Sequence, residues 1–215
     1  MNIITEHILF SGVELLLTNQ RALFWETHRA LILSDLHLGK AAHFRKHGIA
    51  LPTQIALQDL QRLDQLIQHF AAEQVIIVGD LIHAGANTEV GLLEIFIAKH
   101  PHTRFILIKG NHDRFSDAQW QKMGIHEIQS RLQLDDIAFL HQPPVVSEKP
   151  TISGHVHPGV SIRLQTKGTI TLPCYMVAPQ QLILPAFSLF TGFHTQPDSS
   201  GAVRYAFHDD SIFCV

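Results

Sequence analysis

The sequence predicts an α/β protein in which two mixed β-sheets pack face to face as a sandwich, with helices flanking them. Three observations carry this expectation. Apolar runs of strand character, among them LILSD, VIIVGD and FILIKGNHD, stop abruptly at glycines and polar residues. Between those runs, in the first half, apolar residues recur at helical spacing, giving the β-α-β alternation of a parallel sheet. After Gly124 one strand-like run follows another with hardly room for a helix, so the second half reads as a meander. The 215 residues suffice for a sizeable core, and no linker or low-complexity segment divides them, so 1–215 is expected to be a single domain.

Taken in order, VELLLTN and ALFWETHRALILSD read as strands pairing antiparallel around turns at Asn19-Gln20 and Thr27-His28. From Thr53 to Ala72 the residues Ile55, Leu57, Leu60, Leu63, Leu66, Ile67 and Phe70 fall at three- and four-residue steps, which makes an amphipathic helix started by Pro52 and Thr53. A strand at 74–79, a helix at 88–99, a strand at 104–109 and a short helix at 116–123 complete the parallel half. EIQSRLQL, DIAFLH, TISGHVH, GVSIRLQ, TITLPCYMV and QLILPAF are the later strands, and Gln196–Gly201 is a surface turn before a last hairpin.

Composition narrows the function classes. No apolar run approaches the roughly 18 residues of a membrane helix, and MNIITEHILF lacks the basic-then-apolar layout of a signal peptide, so a cytoplasmic protein with no membrane attachment is expected. Cys174 and Cys214 lack paired-ligand spacing and are expected to be buried free thiols. The formal charge of −3 gives no general affinity for nucleic acid, but 16 histidines in a chain with 16% charged residues stand out.

The ligand-type residues at strand ends are Asp35, His37, Asp80, Asn111, His141, His155 and His157. Along an extended backbone, alternation would put Asp35 and His37 on one side of the chain. Seven donors are too many for one tetrahedral site and suit two adjacent divalent cations sharing a carboxylate, with Asp80 as the natural bridge. Alone, an Asp-x-His or a Gly-Asp after a strand is more often a turn or cap. Gly-Asn-His-Asp and Gly-His-x-His at strand ends are much rarer by chance. Two divalent cations against two carboxylates leave a centre of about +2, which attracts a phosphate ester. Carboxylate, amide and imidazole without thiolate favour Mn, Fe or Zn over Ca. Mn²⁺ is the expected ion, with Fe, Zn or Mg as alternatives. His112 is placed to protonate a leaving alkoxide and Asp113 to orient its ring. His83 reads equally as a supporting or a structural histidine, and the remaining histidines, including His100 and His102, as surface residues.

The order D-x-H, G-D, G-N-H-D, H, G-H-x-H from Asp35 to His157 resembles the calcineurin-like metallophosphoesterases, which implies their α/β/β/α fold. Carried over by residue, the resemblance implies Asp35, His37, Asp80 and His157 on one metal, and Asp80, Asn111, His141 and His155 on the other. Within that superfamily, LSDLHLGKAAHFRKHGIALP and LPAFSLFTGF look like the ligase-associated DNA damage response endonuclease family, PdeM. That resemblance implies a DNA substrate and partnership with DNA ligase and an associated repair nuclease or helicase. Lys40, Arg45 and Lys46, interleaved with His43, Phe44 and His47, are candidate phosphate-backbone contacts or simply an exposed helix start, and Arg114 is a further substrate candidate. A dinuclear phosphodiesterase cutting DNA is the leading expectation. The rivals are a phosphoesterase for nucleotides or cyclic nucleotides and a metal-poor scaffold on the same fold.

Overall fold

The structure, a computed structural model, describes residues 1–50, 52, 54–83, 88–164, 168–196 and 201–215. Thr53, expected to start a helix, Gln165 of the GVSIRLQ run and residues 197–200 of the expected surface turn lie outside the described residues.

The first sheet has seven strands in chain order: β1 (Thr5–Phe10), β2 (Val13–Thr18), β3 (Leu23–Trp25), β4 (Ala30–Leu33), β5 (Gln74–Val78), β6 (Arg104–Ile108) and β7 (Glu127–Gln129). Pairing is antiparallel from β1 to β4 and parallel from β4 to β7. Among the described residues four α-helices interrupt this half: α1 (Lys40–Lys46), α2 (Ile55–Phe70), α3 (Thr88–Ala98) and α4 (Asp117–Lys122). The second sheet contains β8 (Leu132–Leu134), β9 (Ile137–Leu140), β10 (Thr151–Ser153), β12 (Gly168–Ala178), β13 (Gln181–Ile183), β14 (Val203–His208) and β15 (Ser211–Cys214), with β11 (Gly159–Leu164) paired to β12. Its order is β15-β14-β12-β13-β10-β9-β8, and only β10 runs parallel to its neighbours, β9 and β13.

The central strands are apolar on both faces because both faces are covered. Ile32, Ile76, Val78, Ile106 and Ile108 meet Phe139, Ile152, Tyr175 and Leu182 between the sheets. Leu31, Leu33, Val75, Ile77 and Leu107 turn the other way, onto Leu63 and Leu66 of α2, Phe96 of α3 and Trp120 of α4. Each such side chain contributes about 1.5–3 kcal/mol by leaving water, so the two layers fix where the strand ends lie. Among the described residues no helix is long and apolar enough to cross a membrane.

Several elements differ from expectation. EIQSRLQL is two strands: β7 extends the first sheet beside β6, whereas β8 opens a hairpin with β9 in the second. The chain changes partners at Ser130-Arg131, and strand propensity does not register a change of partner. In α2 the buried stripe takes in Asp59 and Arg62, while Leu57 is 41% exposed. Cys174 is buried, but Cys214 is exposed on the last strand. His100 is not a surface residue: its side chain is 9% exposed and its Nε2 lies 2.9 Å from Asp64 Oδ1.

Candidate metal centre

The ligand-type residues gather where the parallel strands of the two sheets end. Asp35 and His37 follow β4, Asp80 follows β5, Asn111 and His112 follow β6, His141 follows β9, and His155 and His157 follow β10. Backbone pairing continues past the strands, because the Asp35 N–H donates to Gly79 O at 3.0 Å and the His37 N–H to Asp80 O at 2.9 Å. Asp35 and His37 are not extended, as alternation had suggested. Both are left-handed (φ 56° and 48°), and so are Asp80, His155 and His157 (φ 52°, 68° and 51°). Left-handed backbone turns each side chain out of the strand direction, and it is tolerated best by Asn, Asp and His among residues with a Cβ.

Two donor groups result. In the first, Asp35 Oδ1 lies 3.1 Å from His157 Nε2 and 3.8 Å from His37 Nε2, while Asp35 Oδ2 accepts the His155 N–H at 2.9 Å. The two imidazoles face each other, Nε2 to Nε2, at 3.3 Å. In the second group, Asp80 Oδ2 lies 3.4 Å from His141 Nε2, while Asp80 Oδ1 accepts the His112 N–H at 2.9 Å. Each carboxylate thus spends one oxygen on a backbone N–H from another strand end and turns the other toward histidines. His141 donates Nδ1–H to Val78 O at 2.9 Å, which fixes its tautomer and aims Nε2 inward. Around that nitrogen stand Asn111 Oδ1 and His155 Nδ1, each at 3.2 Å.

Such clusters of acceptor atoms fit cations. Asp35, His37 and His157 form one group of potential ligand atoms all within 4.8 Å of one another, and Asp80, His141 and His155 form another. Asp80 stands in the second group, and its negative charge reaches His37 of the first. Burial pushes His37 down to about 3, against the opposing field of Asp35, so its imidazole is a neutral donor. Burial also favours a neutral Asp80, but the hydrogen bond and charge of His141 outweigh it and hold the carboxyl at about 2. For His141 burial is again outweighed, here by Asp80 and Asp35, and the ring rises to about 9. Without a cation, the His141 Nε2 proton stands in the centre of the second group.

Glycine is required where the loops touch these ligands. A Cβ on Gly79, whose φ is +82°, would sit 2.1 Å from His141 Nδ1, and one on Gly110 would sit 2.2 Å from Asp80 Oδ1.

The neighbours divide less neatly. His112 is 34% exposed, with Nε2 4.0 Å from Asp80 Oδ2, at the open side of the second group. Its ring lies 4.4 Å from the His83 ring, which is 5.4 Å from His37. Asp113 does not have the orienting role expected of it: its two oxygens accept the backbone N–H groups of Ile82 (3.1 Å) and Gly110 (2.9 Å), pinning the β5 and β6 loops together. Burial raises its carboxyl to about 6 despite those hydrogen bonds. Lys40 is half-buried and within the field of Asp35 and Asp80. Arg45 is taken from the proposed phosphate contacts, since it binds Glu89 of α3 at 2.9 Å and the Pro52 carbonyl at 3.0 Å. It braces α1. Lys46 and Arg114 are exposed.

Sequence reasoning missed the brace behind Asp35. Residues 186–188 run beside the end of β4, with Phe187 N–H on Ser34 O at 2.8 Å and Ser188 N–H on Asp35 O at 3.2 Å. Buried Asp59 and Arg62 of α2 pair at 3.2 Å and hold this segment, Asp59 accepting the Leu189 N–H and Arg62 donating to Phe187 O. Arg21 donates to Ser188 O at 2.6 Å. The available signal was the position of Asp59 and Arg62 within the apolar stripe of a helix.

The chain matches the calcineurin-like phosphoesterase family model over residues 28–172. Among solved structures it is similar to the nuclease MPE of Pseudomonas putida, with 29% identity, a TM-score of 0.83 and coverage of 99% of this chain and 100% of that one. It also matches Yfce, a phosphoesterase from E. coli, at 15% identity and a TM-score of 0.46, covering 86% of this chain and 97% of that one. No curated protein matches it by sequence. The nuclease match is consistent with the PdeM-like resemblance, and with a family model spanning most of its length, the chain belongs to the calcineurin-like phosphoesterases.

Proposed function

We propose that this protein is a divalent-metal-dependent phosphodiesterase that cuts DNA internally, as an endonuclease of DNA repair. The observation that carries the reading is the convergence of two carboxylate-histidine groups beside a partly exposed histidine. Asp35, His37 and His157 would hold one cation, and Asp80, Asn111, His141 and His155 the other, with Asp80 as the candidate shared ligand. When bound, such a pair supplies an activated water and neutralises phosphoryl oxygens. His112, on the open side, donates a proton to the departing alkoxide. Its own backbone N–H to Asp80 Oδ1 keeps it in register with the second group.

A nucleic-acid substrate is supported by the nuclease relative, which this chain follows over 99% of its length, and DNA in particular by the PdeM resemblance. Mn²⁺ is the proposed ion because amide, carboxylate and imidazole donors meet here without thiolate. The PdeM resemblance supports association with DNA ligase and a repair nuclease or helicase. The cytoplasm is the proposed compartment, where Cys174 and Cys214 would stay as the free thiols they are here.

The test gives metal-free protein, resupplied with Mn²⁺, circular single-stranded DNA, an aryl phosphodiester, an aryl phosphomonoester and 2′,3′-cyclic AMP in parallel. Cutting of the circle is the expected result. Turnover of the small esters alone would move the substrate to nucleotides or cyclic nucleotides.

A further inference from the structure

A second basic feature lies one segment behind the donor groups. A cavity of about 130 Å³ opens between the Asn19–Arg21 turn, Leu172-Pro173 of β12 and the β14–β15 turn, with Arg21 and Arg62 in its wall. It has room for roughly four waters, or for one tetrahedral oxyanion with a water beside it. Its charge is unbalanced. Arg62 is only 7% exposed, its Nε has no hydrogen-bond partner, and its ion pair is Asp59. Arg21 donates to two backbone carbonyls, Ala186 O and Ser188 O, and the carboxylate whose charge reaches it is Asp59, the one already paired with Arg62. The guanidiniums are near enough to repel one another. The wall's only acidic side chain, Asp209, is 90% exposed and 4.0 Å from His208 Nε2, so it does not neutralise the interior. Asn19 and Gln20, also in the wall, donate to Asn2 O.

We infer that this cavity binds a phosphate-type oxyanion, either inorganic phosphate or the phosphomonoester end of a nucleotide, between Arg21 and Arg62. Two guanidiniums sharing one carboxylate in a partly closed space leave a net positive charge, and their planar N–H forks match tetrahedral oxyanions better than water does. The site is separate from the donor groups and does not depend on the proposed reaction. It is coupled to them structurally, because Arg21 holds Ser188 O while the Ser188 N–H holds Asp35 O. An occupant that recruits Arg21 acts on the segment that steadies the first carboxylate.

The experiment is a calorimetric titration of metal-free, chelator-treated protein with inorganic phosphate and, in a second arm, with a deoxynucleoside 5′-monophosphate. Arginine Nε–Hε NMR signals are followed in parallel. Saturable binding that shifts the signal lost in Arg21→Gln is expected, with affinity at least about tenfold weaker in that variant. Gln20→Glu, at a half-buried wall position whose side chain bonds the Asn2 carbonyl, adds a carboxylate to the wall and is expected to weaken binding to a similar degree. It remains informative if Arg21→Gln fails to fold. Tighter binding of the nucleotide would identify the phosphomonoester as the better ligand, and equal binding would identify phosphate alone. Absence of saturable binding in both arms, or binding unchanged in the folded variants, would overturn the site.

Discussion

The two donor groups are built from the same residue types and yet are prepared differently. In the first, Asp35 is fully buried and His37 is pressed to about 3, so at neutral pH its imidazole is already a neutral ligand. In the second, Asp80 at about 2 and His141 at about 9 form an ion pair whose proton lies among the ligand atoms. Loading the first group displaces no proton from His37, whereas loading the second must expel one from His141. Burial acts on both histidines in the same direction. The difference comes from what opposes burial: His141 has the hydrogen bond of Asp80, the fields of Asp35 and Asp80 and the Val78 carbonyl, whereas on His37 the fields of Asp35 and Asp80 are countered by Lys40 and His157.

The most damaging way to break this comparison is Asp80→Asn, which removes the charge serving the second group and acting on His37. Turnover is expected to fall by at least about 10²–10³-fold, with metal content lowered in elemental analysis and Cys174→Ala unaffected on both counts. Full activity in a folded Asp80→Asn protein would exclude Asp80 as a ligand. Next comes His112→Gln, expected to cost about 10²–10⁴-fold on DNA but far less on bis(nitrophenyl) phosphate, whose leaving group needs no proton. Equal losses on both substrates would make His112 a phosphoryl-oxygen contact instead.

Smaller effects sharpen the contrast by pH. Because His141 is raised from 6.5 to about 9, its contribution to the metal-free fold is fully present below pH 6.5 and is lost as pH rises through 9. Asp80 works in the opposite sense, contributing above the usual carboxylate range and losing its effect as pH falls through about 2. The metal-free melting temperature should therefore drop between pH 6.5 and 9, by roughly 3 °C per kcal/mol lost. Cation affinity at the second group should rise over the same interval by up to about tenfold per pH unit. His141→Gln should flatten the melting profile, and a profile unchanged by that substitution would refute the assignment. The smallest effect belongs to Lys46→Ala, which should reduce the salt slope of DNA binding by about 1 while sparing the aryl ester. Arg45→Ala, by contrast, should impair both substrates because it releases α1 from Glu89.

The sheets and the donor residues were legible in the sequence for a common reason. A strand buried on both faces is an unbroken apolar run, and the runs here stop at residues of the donor groups, as Val78 gives way to Gly79-Asp80. What was not legible depends on partners remote in the chain. Nothing near Asp113 reveals that its oxygens are taken by Ile82 and Gly110, and nothing near Arg45 announces Glu89, 44 positions away. The split of EIQSRLQL between sheets and the burial of His100 against Asp64 were hidden in the same way.

The left-handed backbone at Asp35, His37, Asp80, His155 and His157 bears on how this centre can be interrogated. A left-handed residue with a Cβ costs roughly 1–2 kcal/mol, eased when its short polar side chain can bond locally. Alanine at any of the five keeps the Cβ and loses that easing. An alanine scan would therefore record a folding penalty and a missing ligand as one number, and would overrate all five positions against Asn111 and His141. Glycine relaxes the turn and asparagine retains a polar group suited to it, so scanning each position with both separates the shape of the loop from the chemistry it presents.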